Sequence, residues 1–215
     1  MTISSLATAG GTLVLAVATF SSVRSANRSA RVAELSWQAG LRPVLIPSRE
    51  NDPPERVRFG DAVLLTVPGH GAAVKFKDDN VYMAIGLRNG GSGLAVLHGW
   101  RARARQPAPS VGGSADQPPE LDEFRRQQLD LYIPAGETGF WQGALRDPEE
   151  PGYAEVVEAL SSGQPIQVDM LFGDHEGGQR TIARFVMSAW PDVEGERAIV
   201  VRYWNIDRDD PRDRG

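Results

Sequence analysis

Acidic residues and histidines are the side chains of this chain best suited to chemistry, and their spacing limits what they can do. Asp174, His175 and Glu176 offer three metal-ligand types at a predicted hairpin tip. Adjacent residues on a tight turn point in different directions, so they do not converge on one ion. The other histidines, His70 and His98, fall in a predicted turn and a predicted strand. The sequence therefore predicts no metal site.

Glutamates also gather around the start of a predicted helix, at Glu149, Glu150, Glu155 and Glu158. Paired carboxylates can act as acid and base, but glutamates at a helix start are usually solvated and are stabilised by the helix dipole. The nearby Ser161-Ser162-Gly163 lacks the flanking glycines of a nucleophile elbow. The chain has no cysteine, which excludes thiol catalysis and disulfides. No catalytic residue is predicted, and we do not expect an enzyme.

A glycine-rich run, Gly90-Gly91-Ser92-Gly93, raises the question of a phosphate-binding loop. Such a loop needs a strand before it and a helix after it, because the free amides at the helix start hold the anion. The residues that follow here alternate as in a strand, at Leu94, Val96, His98 and Trp100. The lysine of a P-loop is also missing. We therefore predict no nucleotide and no other cofactor.

The charge of the chain limits its partners. The formal net charge is −5, which argues against a general nucleic-acid binder. Arg101, Arg103 and Arg105 alternate with alanines along a predicted strand. This pattern is typical of one solvated strand face, and contact with anionic lipid or with an acidic partner is the alternative.

The stretch from Val81 to Trp100 is the element around which the chain must be arranged. Apolar residues occupy both faces of its first run, which indicates an interior strand. Asn89-Gly90 suits the positive φ angles of a tight turn, and Gly91 and Gly93 allow a bulge before the second run returns. The sequence predicts a β-hairpin here.

Asn89, Gly91, Gly93 and Ala95 spell N-x-G-x-G-x-A, which resembles the hairpin of bacterial immunoglobulin-like β-sandwich domains of the CARDB type. Pro134-Ala135-Gly136-Glu137 is similar to the proline-glycine turn that such domains often carry later in the chain. The resemblance implies an antiparallel sandwich and no particular activity. Domains of this type are typically extracellular.

Further short strands without long intervening helices also favour an antiparallel sandwich. They are predicted at Pro43–Pro47, Ala62–Val67, Ala72–Phe76, Leu129–Ile133, Gly139–Leu145, Pro165–Phe172, Gln179–Trp190 and Arg197–Ile206. One helix is predicted at Tyr153–Leu160. The fold class is therefore mainly β, with a sandwich domain at 41–206, a flexible insertion at 106–120 and a disordered tail at 207–215.

The amino-terminal region, residues 1–40, is predicted to be one transmembrane helix with a helical stalk. No charged side chain occurs from Thr2 to Val23, and about 20 such residues span a bilayer. Arg24, Arg28 and Arg31 follow it, and the positive-inside bias then places the carboxy-terminal domain in the cytoplasm. Alanines at three-four spacing continue the helix as a stalk to Gly40, where a short homodimeric coiled coil is the alternative to a monomer.

Two functions from different classes remain open. The first is a non-catalytic adaptor or scaffold domain that residues 3–23 anchor in the cell membrane and that binds another protein. Sandwiches commonly present edges and loops for binding, and the sequence shows no chemistry. The alternative is a ligand sensor or an enzyme whose site is built from scattered loop residues.

Overall fold

The structure, a computed structural model, describes residues 3–105, 117–190 and 193–207. The chain divides into two compact units, Met1–Gly40 and Leu41–Gly215. It is mainly β, as predicted, and its strands pair in antiparallel sheets. The predicted flexible insertion and disordered tail fall mostly on residues 106–116 and 208–215, which lie outside the described residues. Asp207, predicted to belong to that tail, accepts a hydrogen bond from the Arg180 backbone at 2.7 Å.

The first unit is a single helix, α1 (Ile3–Gly40), which runs through the predicted span and stalk without interruption. The sequence predicts a membrane span at Ile3 to Val23. Within the described part of the chain, however, no helix combines the length and the apolar content needed to cross a bilayer. Alanine, glycine, serine and threonine make up more than half of this stretch and lower its mean hydropathy.

The second unit contains the strands. In chain order they are β1 (Leu45–Pro47), β2 (Glu55–Arg58), β3 (Leu64–Val67), β4 (Gly71–Lys77), β5 (Asn80–Asn89), β6 (Ala95–Ala104), β7 (Arg125–Arg126), β8 (Tyr132–Ile133), β9 (Thr138–Leu145), β10 (Ile166–Gly173), β11 (Thr181–Trp190) and β12 (Val193–Asn205). Helix α2 (Tyr153–Ser162) lies between β9 and β10, where the sequence predicts it. A single 3-10 turn, Leu121–Glu123, precedes β7.

Ten strands form one sheet in the order β1-β5-β4-β12-β11-β10-β6-β7, with β9 also paired to β5 and β8 to β6. The β5 part and the β10 part of this sheet are joined only between β4 and β12, through the pairs Ala72–Glu196 and Gly71–Arg197. Side chains from both parts enter one buried apolar cluster, which includes Ile85 on β5 and Val168 on β10. The sheet therefore encloses the main core.

Strand β5 is buried on both faces, which confirms the predicted interior strand. Met83 and Ile85 lie in the main core, whereas Tyr82 and Ala84 lie in a second apolar cluster on the other face. That second cluster is completed by the β2–β3 hairpin, a separate two-stranded sheet. Strand β2 was not predicted from the sequence, since the residues of β2 follow a polar, proline-rich loop.

The predicted hairpin from Val81 to Trp100 is wrong. One edge of β5 is taken by β9 and the other by β4 and β1, so no edge remains for β6. Strand β6 pairs instead with β10 on one side and with β7 and β8 on the other. The positive φ angles predicted for Asn89-Gly90 are not observed, and neither Gly91 nor Gly93 has one, so the tight-turn prediction for this segment is also wrong.

Asn89 takes the place of that turn as a buried connection between three stretches of the chain. Its Oδ1 accepts hydrogen bonds from the backbone N–H of Val44 at 3.2 Å and of Gly91 at 3.0 Å. Its Nδ2 donates to the carbonyl oxygens of Gly93 at 2.7 Å and of Ile133 at 3.0 Å. The side-chain amide uses its full hydrogen-bonding capacity, which offsets the free-energy cost of burying it completely.

The glycines beside Asn89 allow residues 41–44, which we call the clamp segment, to lie against the 90–93 backbone. A Cβ on Gly93 would overlap the carbonyl oxygen of Leu41, and one on Gly91 would overlap that of Arg42. Gly90 N–H donates to the Val44 carbonyl at 2.8 Å. These contacts fix the start of the second unit to the end of β5.

The strands predicted on either side of Pro134-Ala135-Gly136-Glu137 also do not form a paired hairpin, because β8 pairs with β6 and β9 with β5. Its turn is present: Glu137 N–H donates to the Pro134 carbonyl at 3.2 Å, and Gly136 has φ 79°. The last three predicted strands are present as β10, β11 and β12, and they pair in sequence.

Candidate anion-binding pocket

A row of charged side chains crosses β6, β10, β11 and β12. Asp169 on β10 lies opposite Arg101 on β6 and opposite Arg184 on β11, and Arg184 lies opposite Arg202 on β12. Residues directly opposite each other on paired strands share a face. Val168, next to Asp169 along β10, lies in the main core, so the charged row lies on the other face of the sheet.

Asp169 is the centre of this row and is only 1% exposed. It accepts hydrogen bonds from Arg101 Nε at 2.8 Å, from Arg184 Nε at 2.7 Å and Nη2 at 3.1 Å, and from Gln167 Nε2 at 3.2 Å. Four donors compensate the cost of burying this carboxylate. Burial lowers the pKa of Arg101, and the Asp169 carboxylate opposes that shift. The carboxylate thereby holds two guanidiniums in fixed orientations.

An aromatic ring supports the same row from β12. The guanidinium of Arg184 lies 4.7 Å from the centre of the Trp204 ring, and that of Arg202 lies 5.4 Å from it. A cation over an indole face is attracted by the ring's negative face, and the attraction grows where water is excluded. Trp204 is 3% exposed. Arg184 is therefore held both by a carboxylate and by a ring.

A pocket of about 310 Å³ opens over this row. Arg101, Arg103 and Arg184 line it from the strands, and residues 117–120 and Glu123 line it from the connection that leads to β7. Glu123 Oε2 contacts Arg101 Nη1, and it also accepts a hydrogen bond from Arg103 Nη2 at 3.3 Å. Three guanidiniums around one open space suit an oxyanion, since each presents several N–H donors in a plane.

The solvated strand face predicted for the arginines of β6 is wrong for Arg101, whose side chain is only 12% exposed. Arg103 is partly exposed, and Arg105 is exposed at the end of the strand. The missed partner is Asp169, and the one signal for it in the sequence is a lone acidic residue within the apolar run of β10. Nothing in the sequence pairs that residue with Arg101.

The acidic hairpin tip does not form a metal site. Asp174 is buried, and its carboxylate accepts hydrogen bonds from Gly178 N–H at 3.0 Å and from Gln179 Nε2 at 3.1 Å. His175 and Glu176 are exposed and lie 3.3 Å apart. Across the described residues, no three metal-ligating side chains come together. The tip is a hydrogen-bonded turn between β10 and β11.

The glutamates and serines around α2 have structural partners. Glu150 forms a two-point contact with Arg125, at 2.5 and 3.1 Å. Ser161 and Ser162 each donate to the backbone carbonyl of Glu158. Hydroxyls bound in this way are not poised as nucleophiles.

A smaller pocket, of about 140 Å³, lies between β9 and residues 125–129. Two of the arginines that line it are already engaged: Arg125 with Glu150, and Arg146 with Asp61 at 3.3 Å. Gln127 and Arg125 also donate to the carbonyl oxygens of Gln142 and Ala144, at 3.2 and 3.4 Å. These side chains cover the outer edge of β9, so this pocket has a structural explanation.

Comparison with known proteins gives no family assignment. The chain matches no protein-family model, no curated protein and no solved structure. Its function must therefore be argued from the geometry of the pocket over Asp169 and from the sequence.

Proposed function

We propose that the β unit is a non-catalytic interaction domain that binds a protein partner through an acidic group of that partner. The observation that carries this proposal is the pair of guanidiniums, Arg101 and Arg184, that the buried Asp169 holds in place beneath an open pocket. Arginines that are fixed before binding lose little conformational entropy when a carboxylate arrives. The partner's acidic side chain is the simplest group to fill the pocket.

The fold supports this proposal, and we interpret it as an immunoglobulin-like sandwich. Among the described residues, the β5 and β10 parts of the sheet are joined by two residue pairs and share one core, which supports an arrangement of two facing sheets. The passage from β5 to β6 carries the N-x-G-x-G-x-A residues of the CARDB resemblance. Sandwiches commonly bind proteins at their faces and loops.

Residues 3–23 are proposed to anchor the domain in the cell membrane, with the β unit on the cytoplasmic side. Within residues 15–23 of α1, four large apolar side chains are more than half exposed: Leu15, Val17, Phe20 and Val23. No charge interrupts this stretch, and three arginines follow it. Carbonate extraction of membranes checks the anchor: the full chain is expected in the pellet, and recovery in the supernatant would contradict it. A helix-mediated homodimer remains the alternative role of the stalk.

Crosslinking from the rim of the pocket tests the partner. A photoreactive amino acid at Gln117, which lines the pocket, is expected to capture one protein from the native membrane fraction. Arg103→Glu should abolish that adduct, because it places a negative charge in the pocket. Arg105→Glu is the matched control on the same strand and should keep the adduct. Capture that survives Arg103→Glu would show that the partner binds elsewhere.

A ligand sensor is the second candidate, because a pocket of about 310 Å³ also admits a small molecule with a carboxylate or phosphate group. The two functions share the same recognition chemistry. Absence of any protein adduct from Gln117, together with binding of a small carboxylate or phosphate to the purified chain, would favour the sensor.

A further inference from the structure

We infer that Glu123 acts as an internal ligand of the pocket over Asp169, and that the oxyanion of the partner displaces it. This inference rests on the proposed function and adds a regulatory step to it. In the structure, the Glu123 carboxylate bridges Arg101 and Arg103. It thus occupies the position in which the acidic group of a partner would bind.

The two carboxylates that contact Arg101 differ in how firmly they are held. Asp169 is 1% exposed and accepts hydrogen bonds through both of its oxygens. The Glu123 side chain is 38% exposed, and one oxygen, Oε2, makes both of its arginine contacts. Exposed ion pairs contribute little to stability, whereas removing one partner of a buried pair is strongly destabilising. Glu123 is therefore the exchangeable carboxylate.

The backbone that carries Glu123 is also weakly held. The 3-10 turn Leu121–Glu123 buries none of its residues and has no side-chain cap. Its hydrogen bonds are local, from Glu123 N–H to the Glu120 carbonyl at 3.2 Å and from Phe124 N–H to the Leu121 carbonyl at 3.3 Å. Pairing with β6 begins only at Arg125, which lies opposite Trp100. Segments with few buried contacts open at low free-energy cost.

Charge balance favours the exchange. Among the described residues that line or support the pocket, the guanidiniums of Arg101, Arg103 and Arg184 match the carboxylates of Asp169, Glu123 and Glu120 in number. When Glu123 moves away, this set gains one positive charge, which an incoming carboxylate neutralises. A ligand that presents two oxygens can also contact Arg101 and Arg103 separately, whereas Glu123 shares one oxygen between them.

Calorimetric titration of the full chain with glutarate, at constant ionic strength, tests the inference. Glutarate carries the same carboxylate as a glutamate side chain. Glu123→Gln removes the competing charge and keeps the size of the side chain, so it should bind glutarate about fivefold more tightly than the parent protein. Glu120→Gln is the matched control, because Glu120 also lines the pocket, and it should change the affinity less than twofold. Arg103→Gln should weaken binding in both backgrounds.

The outcomes distinguish a failure of the proposed displacement of Glu123 from a failure of the proposed binding at the pocket. Equal affinities for the parent and for Glu123→Gln would overturn the displacement and leave the pocket as a binding site. An equal gain for Glu120→Gln would also overturn it, since the effect would be one of general charge. Absence of binding in the parent and in Glu123→Gln, or binding that ignores Arg103→Gln, would overturn the proposed use of the pocket itself.

Discussion

At the residue scale, Asn89 shows how much of the domain depends on a single buried amide. Its four hydrogen bonds reach Val44, Gly91, Gly93 and Ile133, which belong to three separate stretches of the chain. Each partner is a backbone group, and a buried backbone group without a partner costs about 1–3 kcal/mol. The amide therefore holds these stretches together more strongly than its own size suggests.

Replacing Asn89 with alanine should lower the free energy of unfolding by about 3 kcal/mol or more, because several buried backbone groups lose their partner at once. Asn80→Ala, at the other end of β5, is the control, since the Asn80 side chain donates one exposed hydrogen bond to the Asp78 carbonyl. It should cost less than about 1 kcal/mol. Urea denaturation of both variants checks this, and equal midpoints would contradict the role of Asn89.

The sequence identifies the residues at this junction but not their role. Asn89-Gly90 is a dipeptide typical of a tight turn. The residue types alone do not show whether the Asn89 side-chain amide faces solvent or the core. Asp169 presents the same problem, because a lone acid in a strand gains its meaning only from Arg101 and Arg184 on neighbouring strands. Those neighbours lie 68 and 15 residues away along the chain. Local patterns do not carry such pairings.

Glu196 gives the domain a predicted pH dependence. Burial raises the pKa of its carboxyl above the ordinary value of 4.5, and in the described structure its Oε2 is buried without a hydrogen-bond partner. The stabilising effect of the raised pKa is complete below the unfolded pKa and is lost as pH rises through the folded pKa. Glu196→Gln should therefore be more stable than the parent at pH 7 and lose that advantage near pH 4. Thermal melts between pH 4 and pH 7 check the direction of this effect, with Glu158→Gln at an exposed position as the control. If the melting temperatures of Glu196→Gln and of the parent change in parallel with pH, the prediction is refuted.

At the element scale, the passage from β5 to β6 explains why hydrophobic patterns predicted the strands and not their pairing. Both runs alternate as strands do, and both are strands. Their partners depend on which edges are free, and β9 and β4 reach the edges of β5 from other parts of the chain. The same applies to β8 and β9, whose turn at Gly136 was recognised although the two strands pair with different neighbours. Turn chemistry is local, whereas the choice of a partner strand is not.

Gly93→Ala tests the packing of the clamp segment. Its Cβ would overlap the Leu41 carbonyl oxygen, so the backbone must shift, at a cost of about 1–3 kcal/mol. Gly90→Ala is the matched control three residues earlier in the same run, because its Cβ would meet the Ile46 side chain and the Val44 carbonyl oxygen at ordinary distances of 3.5 and 3.8 Å. Denaturation midpoints should fall for the first variant and stay close to the parent for the second. A positive-φ turn, as the sequence suggested, would penalise both.

At the scale of the whole molecule, the two units have separate proposed roles, the anchor and the interaction domain. Among the described residues, the two buried apolar clusters of the β unit consist of residues from Leu45 onward. The sequence predicted this boundary from a change of pattern near Gly40, since helical spacing ends there and short strands follow. The predicted core therefore needs nothing from the helix.

A chain that starts at Ser36 should be soluble and folded, with a circular-dichroism spectrum dominated by β signal. A chain that starts at Ile46 is the informative control, because it lacks the clamp segment and Leu45, whose carbonyl accepts a hydrogen bond from the Tyr203 hydroxyl at 2.5 Å. Each lost kcal/mol lowers Tm by about 2–4 °C in a domain of this size. The shorter chain should melt several degrees lower, and an insoluble or helix-dominated product from the longer one would contradict the division.

The orientation of the chain decides which compartment holds the partner. Arg24, Arg28 and Arg31 follow the proposed anchor and favour retention of that side in the cytoplasm. The chain has no native cysteine, so a single one introduced as Glu176→Cys, at the exposed tip between β10 and β11, reports its own compartment.

An impermeant maleimide should leave the Glu176→Cys thiol unlabelled in intact spheroplasts and should label it after lysis. Thr2→Cys is the matched control at the other end of the proposed anchor, and it should react before lysis because the amino terminus is expected outside. Labelling of Glu176→Cys but not Thr2→Cys in intact spheroplasts would reverse the orientation and place the acidic partner outside the cell. Protection of both thiols until lysis would mean that residues 3–23 do not cross the membrane, since a crossing helix must expose one of the two ends.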